Sequence, residues 1–101
     1  KLTGKKCAAM EGLIEEGKEA LEIEGPDGVI DLAIIAASQR VEHYEISAYG
    51  SARALAEQLG HTQVAKLLQQ TLDEESAADE KLTAIATDEA FPAAKSESEE
   101  P

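Results

Sequence analysis

Four acids, Glu42, Glu45, Glu75 and Asp79, are the residues of this chain best placed to do chemistry, and the chemistry they suggest is metal binding. Their spacings put Glu42 with Glu45 on one face of a helix, and Glu75 with Asp79 on one face of another. Those faces are otherwise apolar, and carboxylates on an apolar seam are costly to keep ionised without a compensating positive charge. Hard oxygen donors of this kind suit iron or manganese, which facing helices of a bundle can hold as a carboxylate-bridged pair. Acids on helices more often simply reach water, and that alternative weighs most for Asp79, at the edge of the seam.

Positioning these acids requires two long helices. From about 29 to 59 the chain has no Pro and a single Gly; with Glu45 at the centre of a face, Ile34, Ser38, Val41, Glu42, Tyr49, Ala52, Ala56 and Leu59 fall on that face too. Ile35, Ile46 and Leu55 widen the apolar flank enough to want a second packing partner. Gly60 and His61 interrupt the pattern, and a second helix runs from about 63 to 86 with Thr62 as its candidate cap. So short a link makes an antiparallel hairpin in which facing residue numbers sum to about 120. Glu45 then faces Glu75, and Glu42 faces Ala78 and Asp79, about 22 Å from the turn. Tyr49, one turn from Glu45, could hydrogen-bond a ligating carboxylate. His43 lies nearly opposite Glu45 on the wheel, external or against the first helix, and is kept with Tyr49 as a candidate supporting residue.

A short helix from about 7 to 24 precedes the hairpin, with Thr3 available as its cap and Gly12 and Gly17 weakening it. The cluster Gly25-Pro26-Asp27-Gly28 ends it as a turn, with Asp27 placed to cap the first long helix. Residues 1–87 therefore form the helical body, and 88–101, rich in acids, Ser and Pro, read as a disordered or loosely attached tail.

Composition narrows the function classes. With 101 residues, no Trp, one Phe and two Tyr, the chain is at most one domain with an aliphatic core. A net charge of -12 repels nucleic acid and anionic lipid surfaces, so neither is expected as a partner. No apolar run approaches the ~20 residues that cross a bilayer, and no signal-peptide pattern opens the chain, so the cytoplasm is the default compartment. The lone Cys7 has no partner for a disulfide or zinc pattern and reads as a small packing residue. Phosphate loops, nucleophile elbows and paired-Cys motifs do not occur, so no catalytic residue can be named.

The run KKCAAMEGLIEEGKEALE, then DLAIIAASQRVEHYEISAYGSARALAEQLGH and LLQQTLDEESAADEKLTAIA, resembles the YciE/YciF type of ferritin-like stress-response family, QRVEHYEISAYG being its most specific stretch. The resemblance implies an all-α, ferritin-like four-helix bundle. Residues 7–24 would be the crossover's short helix and the two long helices the last two of the bundle. It implies that Glu42 or Glu45 and Glu75 need ligand partners from an absent half. That half would be supplied by missing N-terminal helices or by a second copy docking as a two-fold dimer. It further implies a dinuclear iron or manganese site and leaves open a di-iron oxidoreductase or ferroxidase-like activity. The wider Glu-x-x-His pattern is missing from both long helices. A metal-free helical oligomerisation or structural module is the alternative function.

Overall fold

The computed structural model describes residues 4–98, so the candidate cap Thr3 and the tail acids Glu99 and Glu100 lie outside the described residues. Every regular element among the described residues is helical: α1 (Ala8–Leu21), α2 (Asp27–Gln58), α3 (Thr62–Ile85), a π-helical turn (Ala86–Ala90) and α4 (Phe91–Ser98). The first three match the expected helices to within about three residues at each end. None of them is long and apolar enough to cross a membrane.

The ends of the helices are built differently from expectation. Cys7 is not a packing residue; it is exposed and caps α1, its Sγ accepting from the Met10 N–H at 3.4 Å. The same sulfur lies 2.8 Å from the Tyr44 hydroxyl, fastening α1 to the middle of α2. That hydrogen bond pulls the Cys7 thiol below its ordinary pKa and pushes Tyr44 above its own. Asp27 does not cap α2, because it is already the first helical residue; Pro26 holds the cap position and offers no side-chain acceptor. Thr62 likewise starts α3, leaving His61 in the cap position without a side-chain hydrogen bond.

Gly60 makes the hairpin turn. Its φ of 76° is the left-handed conformation glycine tolerates best. The Gly60 N–H donates to the Glu57 carbonyl and the His61 N–H to the Ala56 carbonyl, satisfying the last turn of α2 as a Schellman motif. The chain reverses at once, and cross-helix hydrogen bonds keep the register set by this turn. Gln39 Nε2 donates to Thr83 Oγ1 at 2.7 Å and to the Asp79 carbonyl at 3.3 Å, both near the sum of 120.

The segment from Asp88, expected as a loose tail, continues as helix to Ser98 and packs on the start of α2. Pro92 cannot donate to the preceding turn, and the register changes just before it: the Phe91 N–H reaches the Ala86 carbonyl one residue further back than in an α-helix. Ala86 and Ala90 are buried with Ile35, flanked by Leu32 and Leu82, in the core cluster of the chain. The acidic composition that suggested disorder was outweighed by small residues at helical spacing, which let α4 approach α2 closely.

The molecule is a single layer of helices. Its extents are 62 × 30 × 14 Å, the shortest being about one helix thick. The radius of gyration, 17.6 Å, exceeds the ~13 Å of a compact chain this long. Among the described residues the buried apolar ones are six alanines and Ile35, and no large side chain is fully buried. Leu21, Leu55, Leu59 and Leu67 are each more than half exposed. Domains bury their apolar faces between two layers, and the described residues form one layer that leaves large apolar side chains exposed.

Candidate metal centre

α2 and α3 bring Glu42, Glu45 and Glu75 together at mid-hairpin: one carboxylate oxygen from each lies within 4.8 Å of the other two. All three are half-buried, against the apolar expanse of the open layer. Glu45 faces Glu75 in the register set by Gly60. Glu42, placed opposite Ala78 and Asp79 by the same arithmetic, instead reaches Glu75, about one turn nearer the hairpin. A glutamate side chain spans that step, which counting residue positions alone does not capture.

Asp79 is outside this group. Its Oδ2 lies 3.0 Å from His43 Nε2, so the acid at the seam's edge has a basic partner of its own. His43 is largely exposed, as its wheel position implied, and its ring meets Asp79 of α3. The imidazole meets the Asp79 side chain, so the hydrogen bond of His43 goes to Asp79 rather than to the carboxylate trio. Tyr49 is half-buried one turn along α2.

The electrostatics are those of acids without enough cations. Glu45 is raised above the ordinary carboxylate range, first by its hydrogen bond with Glu75, then by burial and by the Glu75 charge. Glu75 is raised chiefly by its hydrogen bond with Glu42; the bond with Glu45 pulls the other way, while burial and the charges of Glu42 and Glu74 raise it further. Carboxyls can hydrogen-bond one another only by keeping a proton between them, so the trio favours a shared proton or an added cation. Glu42 Oε2 and Asp79 Oδ1 are buried without a hydrogen-bond partner. An oxygen shielded from water with no donor is an acceptor awaiting one.

The donor set fits a hard divalent ion: three carboxylates, one with an orphaned oxygen, and no thiolate or imidazole within the group. Three carboxylates from one side are fewer than two ions coordinate, and the open face of the layer lies beside them. Sequence reasoning missed Gln39 and Thr83, whose hydrogen bond lines the same seam one turn beyond His43 and Asp79. The register rule contained that pair, and only attention to acids hid it.

Comparison with known proteins places the sequence and the fold among relatives. Residues 1–95 match the family model described as a domain of unknown function, DUF892. The chain is 56% identical over 86 residues to the protein YciF of Escherichia coli K12, covering 85% of this chain and 52% of that protein. The crystal structure of the E. coli stress protein YciF superposes with a TM-score of 0.82 at 55% identity, over 86% of this chain and 55% of that one. YcfI from Rhodopseudomonas palustris, described as a proposed structural protein, gives a TM-score of 0.77 at 47% identity, over 85% of this chain and 55% of its own. The chain thus spans about half the length of these relatives.

Proposed function

The chain belongs to the DUF892 family, and from that premise we propose that it supplies one half of a ferritin-like four-helix bundle whose interior holds a dinuclear iron or manganese centre. The observation that carries this reading is the meeting of Glu42, Glu45 and Glu75 on the open face of a one-layer structure. A second layer laid on that face covers the exposed leucines and adds ligands beside the trio. Upstream helices or a second copy of the chain would provide that layer, in keeping with the half-length match to its relatives. Glu42, Glu45 and Glu75 would hold the ions. Asp79, paired with His43, would stay outside or join through its unpartnered Oδ1. Iron bound with an open coordination position supplies redox or oxygen chemistry, which is the route to an oxidoreductase or ferroxidase-like activity. A role in a stress response is proposed from the description of YciF as a stress protein.

The second reading is a metal-free helical assembly module. It is favoured by the closeness of Glu42, Glu45 and Glu75 and the raised pKa of Glu45 and Glu75, since carboxyls so placed can hold a proton between them in place of an ion. The description of YcfI as a structural protein agrees with it. Metal analysis of the purified assembled protein separates the two. The metal reading expects iron or manganese in stoichiometric amount, anomalous scattering between residues 45 and 75, and loss of both on Glu45→Ala. Protein that remains metal-free after incubation with ferrous and manganous ions would sink it.

A further inference from the structure

We propose that α4 is a clasp that closes the free end of the α2–α3 hairpin, a conformational device separate from the carboxylate trio and independent of whether metal binds there. The hairpin is tied at one end by the Gly60 turn. At the other end α2 begins without a side-chain cap, since Pro26 holds the cap position, so its first N–H groups need an outside acceptor. Glu97 of α4 provides it: the Gly28 N–H donates to both carboxylate oxygens, at 3.1 and 3.2 Å. A carboxylate at a helix N-terminus also meets the positive end of the helix dipole.

The seat is shaped for a close backbone approach. Gly28 is buried, and a Cβ there would stand 2.5 Å from the Ala94 nitrogen and 2.8 Å from its Cα. Only glycine leaves room for α4 at this crossing. The π-helical turn redirects the chain from α3 into this seat, and Ala86 and Ala90 pack against Ile35 beneath it. Because α3 runs directly into the clasp, the contact pins the last turn of one acid-bearing helix to the first turn of the other. Glu97 lies two residues past the end of the family match, which covers residues 1–95.

The device has one motion: α4 leaves Gly28, the hairpin opens at that end, and the Gly60 end stays closed. Hydrogen exchange of the full chain, read by mass spectrometry, tests it. Glu97→Ala should speed exchange of amides 86–98 and of the first turn of α2 roughly three- to thirty-fold, the range a lost helix cap commands, while amides around Gly60 keep their rates. Gly28→Ala should bring 86–98 near unprotected rates, and Glu97→Gln, which keeps one acceptor oxygen, should fall between Glu97→Ala and the parent. Should Gly28→Ala unfold the whole chain, Glu97→Ala decides alone, because it removes a partly exposed side chain and leaves the packed alanines in place. Unprotected 86–98 in the parent chain, or rates unmoved by Glu97→Ala, would overturn the clasp.

Discussion

Two places along α2 hold carboxylates against a partner, and they solve the same problem in opposite ways. At its first turn Glu97 arrives from α4 and finds a backbone N–H that had no acceptor. In its middle Glu42 and Glu45 meet Glu75, a group that brings more negative charge and no donor. Beside the trio, His43 Nε2 and Asp79 Oδ2 meet at 3.0 Å, an acid facing a nitrogen-bearing ring. An acid at a helix end is satisfied by the fold itself, whereas acids facing acids are left for a proton or a cation to satisfy. Satisfied and unsatisfied carboxylates can therefore be told apart by what faces them, even when their exposure is similar.

The contrast breaks most severely at the satisfied end. Gly28→Ala drives a methyl group into the Ala94 backbone and should cost about 3 kcal/mol, the upper range for overpacking, read as a fall in thermal midpoint. A variant as stable as the parent would mean that the seat is looser than the 2.5 Å approach implies. The unsatisfied middle should respond next most strongly, and in the opposite direction. Ferrous or manganous ion at about a hundred times its dissociation constant should raise the stability of the protein by about 2.7 kcal/mol. Glu45→Ala should abolish that rise; a rise that survives would place the ion elsewhere.

The hairpin and its register were legible in the sequence because Gly60 punctuates two uninterrupted helical patterns, and a short link leaves one antiparallel arrangement. That arithmetic also brought Glu45 to Glu75. It misplaced Glu42 and Asp79 because side-chain reach decides contacts at the edge of a face: Glu42 extends to Glu75, and His43 swings over to Asp79. Helix α4 was hidden for a different reason. Composition marks acid-rich segments as disordered, but the contact that orders this one lies 69 residues away in sequence, at a glycine whose lack of a side chain is its contribution. Capping failed in the same way, since Asp27 and Thr62 are typical cap residues that the chain places one position too late.

Protonation offers a way to make the middle resemble the end without metal. Glu45 and Glu75 are both raised in the folded state, so the folded protein holds protons that the unfolded chain releases. For such groups stability is greatest when both states are protonated, and it is lost as pH rises from the ordinary carboxylate range through the raised folded values. Metal-free protein should therefore become less stable between mildly acidic and neutral pH in a thermal-unfolding series. Glu75→Gln, which supplies a permanent donor to its neighbours, should flatten that slope and raise stability at neutral pH by about 1 kcal/mol, some 4–8 °C for a domain of this size. A slope unchanged by Glu75→Gln would show that these carboxyls do not share the proton.

The smallest effect belongs to the contact between the two regions, and its smallness is informative. His43 is 67% exposed and Asp79 19%, so His43→Ala should cost only about 0.5 kcal/mol, in the range of solvent-screened pairs. The substitution also leaves Asp79 with no donor to its side chain, because its Oδ1 is already orphaned. If Asp79 is a purely structural acid, the loss should stop there and the response to metal should be unchanged. If the freed Asp79 turns toward the trio as a fourth ligand, His43→Ala should tighten manganous ion binding by isothermal titration while lowering metal-free stability. Opposite signs in those two measurements would move Asp79 from the satisfied class to the unsatisfied one, and equal signs would leave it where the His43 contact puts it.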